Sequence, residues 1–457
     1  MFYMLFLLLV VATAPTNSFH IVRSPYSHRP VTTRIFESPE SPSKDPPSIS
    51  SKDPPSISST RVTSAILFTS YFMVMLAKCA LPVALPAIRN PSTWPSSALS
   101  HSGVSHYVAQ TLLLSTAAIA LGKFSLGPLI DKFGGYNSLL SGHLLLSALF
   151  FSLSRVEKLS SFRALWIGVD FTFSAMWASG IGTISEQQMT DRQSRDQIGS
   201  LALGGRLGCT AAFLWFARMQ NFRTIFLAGG VANLIPVGIL LLTKTMMRRS
   251  IVNKNSATPS KKTSININDS LKQLKHLLRT DVEFYRVAIL RSCLMVFGSF
   301  VLFVPSFFEF LFGVAGAKVG GVYSGGCLAM LLFSTKIYPK LNEERKKRVL
   351  RGSLLAGLLS ALTCLATTSN IISPNRNLIT FAMFGWGLSF PLAFYFPPTL
   401  YALERGSAAT ITDAMDFLGF IMLAFFNTAA TQVSNVEGYS RLLKYLVGLI
   451  LTSFFIV

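Results

Sequence analysis

Acidic charge is scarce in this chain. Only 20 of the 457 residues are Asp or Glu against 41 Lys or Arg, and charged residues of either sign make up 13%, where a soluble domain carries roughly a quarter. A water-covered globular surface is thereby excluded for most of the chain, and a hydrophobic content of 50% points to a membrane protein. Cysteine is nearly as rare. Cys79, Cys209, Cys293, Cys327 and Cys364 all lie inside apolar runs without paired or ligand-type spacing, which argues against a disulfide framework and against a zinc site. No ATP-binding signature and no nucleophile with a neighbouring base is visible, so neither an enzyme nor a cofactor is expected.

What is present is positive charge, a net +21. A nucleic-acid surface needs basic residues interleaved with aromatics on one face. Here they crowd instead into short stretches between apolar runs. Residues 244–262, KTMMRRSIVNKNSATPSKK, hold six Lys or Arg and no acid, and residues 336–351, KIYPKLNEERKKRVLR, hold seven against two glutamates. The positive-inside bias of membrane proteins accounts for this without a nucleic-acid partner.

The first sixty residues do not read as fold. MFYMLFLLLVVATA (1–14) is apolar but short for a span, and small residues and a proline follow, as in a signal-peptide core. Residues 19–60 are rich in Ser, Pro, Thr and Arg, and SKDPPSIS occurs twice in tandem, at 43–50 and 51–58, a low-complexity duplication unable to build a core. The junction ATAPTNSFH resembles the bipartite leaders of algae with secondary plastids, in which a transit peptide opening on Phe, here Phe19, follows the signal peptide. That resemblance implies a plastid envelope; the plain signal-peptide reading implies the endoplasmic reticulum or the plasma membrane.

From Arg61 onward, apolar runs recur near the ~20 residues that a ~30 Å hydrocarbon core requires. Candidate spans fall at about 62–88, 104–129, 137–154, 162–184, 198–218 and 222–243, then at 284–312, 317–338, 349–369, 377–400, 407–430 and 438–457. Backbone groups in lipid must be satisfied within the segment, so the expected fold is an all-α membrane protein of twelve transmembrane helices in two six-helix halves. The expected division is a leader over 1–60, a first bundle over 61–243, a basic inner loop over 244–283 and a second bundle over 284–457.

One stretch between the second and third spans stands apart. GKFSLGPLIDKFGG (122–135) has the Gly and Lys of a phosphate loop, but Phe124 follows Lys123 where Ser or Thr would be needed. Residues 127–135, GPLIDKFGG, resemble instead the signature turn of the major facilitator superfamily, and the layout of spans matches that family over about 62–457. Gly127 permits close helix approach, Gly134 and Gly135 permit the turn, and Asp131 beside Lys132 places charge at the membrane edge. The resemblance implies that Asp131 faces the N-terminus of the eleventh helix near Gly406 and Ser407, closing an inner gate. The matching loop of the second half lacks the Asp and the glycines.

Ionisable groups inside spans are functional candidates, because each is costly unless it faces the bundle interior. Lys78, Asp170, Arg206, Arg291 and Asp416 lie in the first, fourth, fifth, seventh and eleventh spans, all among those that the family resemblance turns toward the central cavity. Three cations there bias a cavity toward anions; an internal salt bridge of Lys78 or Arg206 with Asp170 is the competing reading. Lys123 and Arg291 are placed where either side chain reaches the membrane edge by snorkelling. Tyr71, Tyr323, Trp386 and Tyr395 offer hydrogen-bonding edges to a cavity, or pack at helical spacing.

SYFMVMLAKCALPVALPAI (70–88) resembles the first helix of the organophosphate:phosphate antiporters, with Lys78 at the position of a cavity Arg and Pro86 at that of a proline. That family's second phosphate-binding Arg would fall near Phe297 or Gly298, where no cation stands, so Arg206 or Arg291 would substitute. The expected function is secondary transport by alternating access of an organic anion, a phosphate ester or inorganic phosphate. The expected substrate-binding set is Lys78, Arg206, Arg291, Asp170, Tyr71, Tyr323 and Trp386, coupled to a counter-anion or to protons through Asp170 or Asp416. The alternatives are a carrier of the same fold for a sugar, amino acid or nitrate, and a non-transporting sensor or scaffold.

Overall fold

The computed structural model describes residues 57–94, 101–187, 189–216, 218–219, 221–252, 267–313, 317–431 and 436–457. Residues 1–56 of the expected leader lie outside the described residues, as do residues 253–266 of the basic stretch; residues 57–60, expected to belong to the leader, instead open the first helix. Residues 53–457 form one compact unit. Among the described residues every regular element is helical.

The first half comprises α1 (Ile57–Lys78), α2 (Ala80–Arg89), α3 (His101–Phe133), α4 (Gly135–Ser154), α5 (Leu159–Ser185), α6 (Asp191–Phe216) and α7 (Phe222–Val252). A short α8 (Ile267–Thr280) precedes the second half. That half comprises α9 (Val282–Ser299), α10 (Val304–Phe312), α11 (Ala317–Lys336), α12 (Glu343–Thr368), α13 (Arg376–Ser389), α14 (Pro391–Glu404), α15 (Ala408–Thr431) and α16 (Val436–Ile456). The pairs α1–α2, α9–α10 and α13–α14 are each one span with a break, which makes six crossings per half. Among the described residues eight helical stretches, α13 and α14 counted as one, are long and apolar enough to cross a membrane.

The breaks have a local cause. Pro82, Pro305 and Pro391 each lack the N–H that the carbonyl four residues earlier would receive. The chain answers with a turn at Cys79, a 3₁₀ turn over Phe300–Leu302 and a new helix start at Pro391. The first and seventh spans are thus interrupted at corresponding places, a pattern that marks binding sites in carriers built from repeats. The basic stretch expected as a loop from residue 244 is helical at its described ends: α7 continues to Val252, because KTMMRR contains good helix formers and no breaker.

Two cores form, the larger centred in the first half and continuing into the second through Leu331, Leu392 and Phe396. Phe150, Phe162, Trp166 and Phe226 centre the first, and Phe297, Phe300, Phe307 and Trp386 the second. Large apolar side chains also cover the outside, Phe381 being 74% and Phe425 73% exposed, a surface that only a lipid environment suits. The halves meet along α3 and α15. A Cβ built on Gly127 would stand 2.8 Å from the Thr410 Cα, so glycine sets how closely those two helices cross.

Candidate functional site

At the end of the bundle that carries the basic loops, α3 finishes at Phe133 and Gly134 turns the chain with φ +89°, a conformation that suits glycine. The Gly135 N–H at the start of α4 donates to Glu186 Oε1 at 2.6 Å, an anion on a helix N-terminus that the sequence reading did not single out. Asp131 reaches across to the second half. Its carboxylate accepts from the Ala409 N–H at 3.2 Å, the Thr410 N–H at 3.0 Å and the Thr410 hydroxyl at 2.5 Å. These are first-turn groups of α15, which have no partner inside the helix. Lys132 is exposed beside the Phe133 ring and takes no part in this contact. From α8, Gln273 donates to the Arg405 carbonyl, and Ser407 donates to Gln273 Oε1 at 2.6 Å, so α8 braces the approach to the same helix end.

Lys123 lies eight residues before Asp131, about 12 Å deeper along α3. It does not snorkel. Its ammonium lies 2.8 Å from Asp413 Oδ1 and 2.9 Å from Asp416 Oδ2, with 4% of the side chain exposed. Asp416 receives Arg291 Nε through its other oxygen, and Arg291 Nη1 donates to the Phe394 carbonyl at 3.1 Å. Arg291 is therefore also anchored within the bundle rather than at its edge. The four charges form a buried chain from α9 through α15 to α3, and the Lys123–Asp413 link joins the two halves.

Lys78 ends α1 at the break and pairs with Asp170 of α5. The Trp166 and Phe173 rings lie 4.8 and 5.2 Å from its ammonium. Of the two readings, the internal salt bridge is the one the geometry shows: this cation already has its anion. Arg206 is different. It lies on α6, donates through Nε to the Tyr395 hydroxyl at 3.2 Å and faces the Phe390 ring at 5.2 Å. Among the described residues no carboxylate stands within ion-pair distance of it. Beside it runs an aromatic wall, Tyr71 against Trp177 with ring centres 5.3 Å apart and Trp177 against Tyr395 at 5.2 Å. The Trp177 indole N–H is buried without a hydrogen-bond partner in the described set. Trp177 escaped the sequence reading because an uncharged aromatic in an apolar run has no distinguishing signal.

Tyr323 and Trp386 serve packing. The Tyr323 hydroxyl donates to the Gly298 carbonyl at 2.9 Å and the Trp386 indole to the Phe297 carbonyl at 3.1 Å. Those carbonyls lie where α9 gives way to the 3₁₀ turn, and the Phe297 carbonyl also receives the Phe300 N–H, so the two side chains add donors at the break. Asp413 was also missed, although it stands three residues before Asp416 on one helix face.

The loop with Asp131 seated on the facing helix end, between two six-span halves, agrees with the family match over residues 67–424, to the model described as Major Facilitator Superfamily. The chain belongs to the major facilitator superfamily. Members are secondary transporters rather than enzymes, and this chain is a multi-pass membrane protein of that kind. No curated protein matches it. Similar solved structures include the human organic anion transporter MFSD10 (TETRAN), at 13% identity and TM-score 0.63, covering 87% of this chain and 99% of that one. The proton:xylose symporter XylE bound to 6-bromo-6-deoxy-D-glucose is similar at 12% identity and TM-score 0.62, covering 86% and 95%. FucP in the outward conformation is similar at 11% identity and TM-score 0.59, covering 87% and 99%. At these identities the likeness establishes the fold.

Proposed function

We propose that this superfamily transporter carries an organic anion, a phosphate ester or inorganic phosphate by alternating access, with Arg206 as the anchor of the substrate. The observation that carries the reading is the guanidinium of Arg206, held within the bundle with a phenol hydroxyl and aromatic faces around it and no carboxylate beside it in the described set. A cation at membrane depth is costly unless an anion meets it, and a guanidinium grips phosphate or carboxylate through two parallel hydrogen bonds. Tyr395, Tyr71 and the unpartnered Trp177 N–H supply further donors on the same side. Lys78 joins only when Asp170 releases it. Asp131 on the α15 terminus serves as the gate of the basic end, which the positive-inside bias puts on the cytoplasmic or stromal side. The leader resemblance favours a plastid envelope. The similar structures include carriers of organic anions and of sugars alike, so the choice of an anion rests on Arg206.

The experiment is counterflow with the full chain in proteoliposomes, offering labelled inorganic phosphate, glycerol 3-phosphate and xylose in turn. Exchange of an anion that falls at least a hundredfold in Arg206→Ala, and is partly kept in Arg206→Lys, is the expected result. Exchange of xylose, or anion exchange that Arg206→Ala leaves intact, refutes the proposal.

A further inference from the structure

We propose that the Lys123–Asp413–Asp416–Arg291 chain is a proton-binding site that couples protonation to opening of the basic end, with Asp413 as the proton acceptor. This rests on the alternating-access reading but not on the nature of the substrate. Asp413 is 0% exposed, and only one of its carboxylate oxygens is engaged, by Lys123. The other, Oδ2, is buried with no hydrogen-bond partner in the described set. Asp416, by contrast, has a cation on each oxygen. Of the two carboxylates, a proton therefore goes to Asp413, where it displaces no second cation.

The charges facing Asp413 define what that proton does. Lys123 and, one contact nearer the membrane edge, Asp131 face it from α3; Asp416 shares its helix; Arg291 of α9 stands behind Asp416. α5 presents Ala175 and Ala178 to this interface. On the α14 side, Tyr401 and Ala402 pack against Ile411 and Met415, and the Tyr401 hydroxyl is given to Asp281. With Asp413 ionised, two cations and two anions balance and Lys123 is held to the second half. Protonation leaves a net positive cluster in which Lys123 keeps only Asp416, the carboxylate it already shares with Arg291. One of the two charged links from Lys123 across α3 and α15 is lost, and both lie on the same two helices as the Asp131 contact. In a low-dielectric interface such an uncompensated charge favours separation of the halves and entry of water.

The test uses the full chain in lipid nanodiscs with spin labels on Asn137→Cys and Glu344→Cys, exposed residues at the basic end of opposite halves. The native cysteines are free and buried or half-buried, so labelling favours the introduced pair. Distances are read by pulsed electron resonance between pH 5 and pH 9. As pH falls, the unsubstituted interface is expected to gain a longer-distance population by at least tenfold. Asp413→Asn and Lys123→Met are expected to show that population at every pH, and Asp413→Glu to restore the dependence. A distribution that does not move with pH, or an Asp413→Asn protein that titrates like the parent, overturns the proposal. No substrate enters the readout, so failure of the anion reading leaves this result standing, and the converse also holds.

Discussion

Replacing Asp131 with Asn tests the gate most directly, because the side chain keeps its shape and loses its charge. The carboxylate receives two backbone N–H groups and one hydroxyl at the start of α15, at 3.2, 3.0 and 2.5 Å. An anion on a helix N-terminus contributes roughly 0.3–2 kcal/mol, and a charged hydrogen bond exceeds a neutral one by about 1 kcal/mol. The amide oxygen still accepts from this terminus, so part of the interaction survives. The closed basic end should lose about 1.5–3 kcal/mol relative to the open one, or roughly 10- to 150-fold in population. The assay is the distance distribution between labels at residues 137 and 344, read at one fixed pH for both proteins. A longer-distance population rising by at least tenfold is the expected outcome. If the Asp131→Asn protein is folded and its distribution matches the parent's, the helix-terminus contact does not hold the halves together and the reasoning fails.

Two further predictions follow from the ion pairs. Asp170→Asn leaves the half-buried Lys78 ammonium without its anion, so melting in detergent should fall clearly. The double change Lys78→Met with Asp170→Leu should recover much of that loss, and equal melting of the two variants would show that the pair is not the reason. At the membrane edge, burial acts to raise the Asp281 pKa, but hydrogen bonds from Tyr401 at 2.8 Å and Arg405 at 3.1 Å, with the Arg405 charge, outweigh it and hold the carboxyl below its usual range. Because the folded value is depressed, the stabilisation is present above the unfolded pKa of about 3.9 and is lost as pH falls through the folded one. Thermal unfolding of Asp281→Asn should therefore lie below the parent at pH 7 and converge with it under acid; a gap that persists in acid contradicts the assignment.

How much of this was legible in the sequence can be judged from single residues. Asp131 was placed against the start of the eleventh helix by its motif, and the contact lies at Ala409 and Thr410, two to three residues past the expected Gly406 and Ser407. Lys78 was given to the substrate with a pair to Asp170 as the competing reading, and the pair is what the structure contains; Lys123 was sent to the membrane edge, whereas it reaches Asp413 and Asp416 of the opposite half. Tyr323 and Trp386 were offered as cavity edges or as packing, and both donate to carbonyls at a helix break, which the nearby Pro305 announces without saying which donors will arrive.

By itself the sequence determined the class of structure. Backbone groups in lipid are satisfied within each span, so length and apolarity are local properties that fix helices and their number, and a loop motif is local too. The pairing of charges is not local. Lys78 meets Asp170 across 92 positions, and Lys123 meets Asp413 across 290. Which cation finds which carboxylate depends on the rotation and crossing of whole helices. Only their packing decided that Arg206 stands, among the described residues, without a carboxylate while its neighbours in charge are matched.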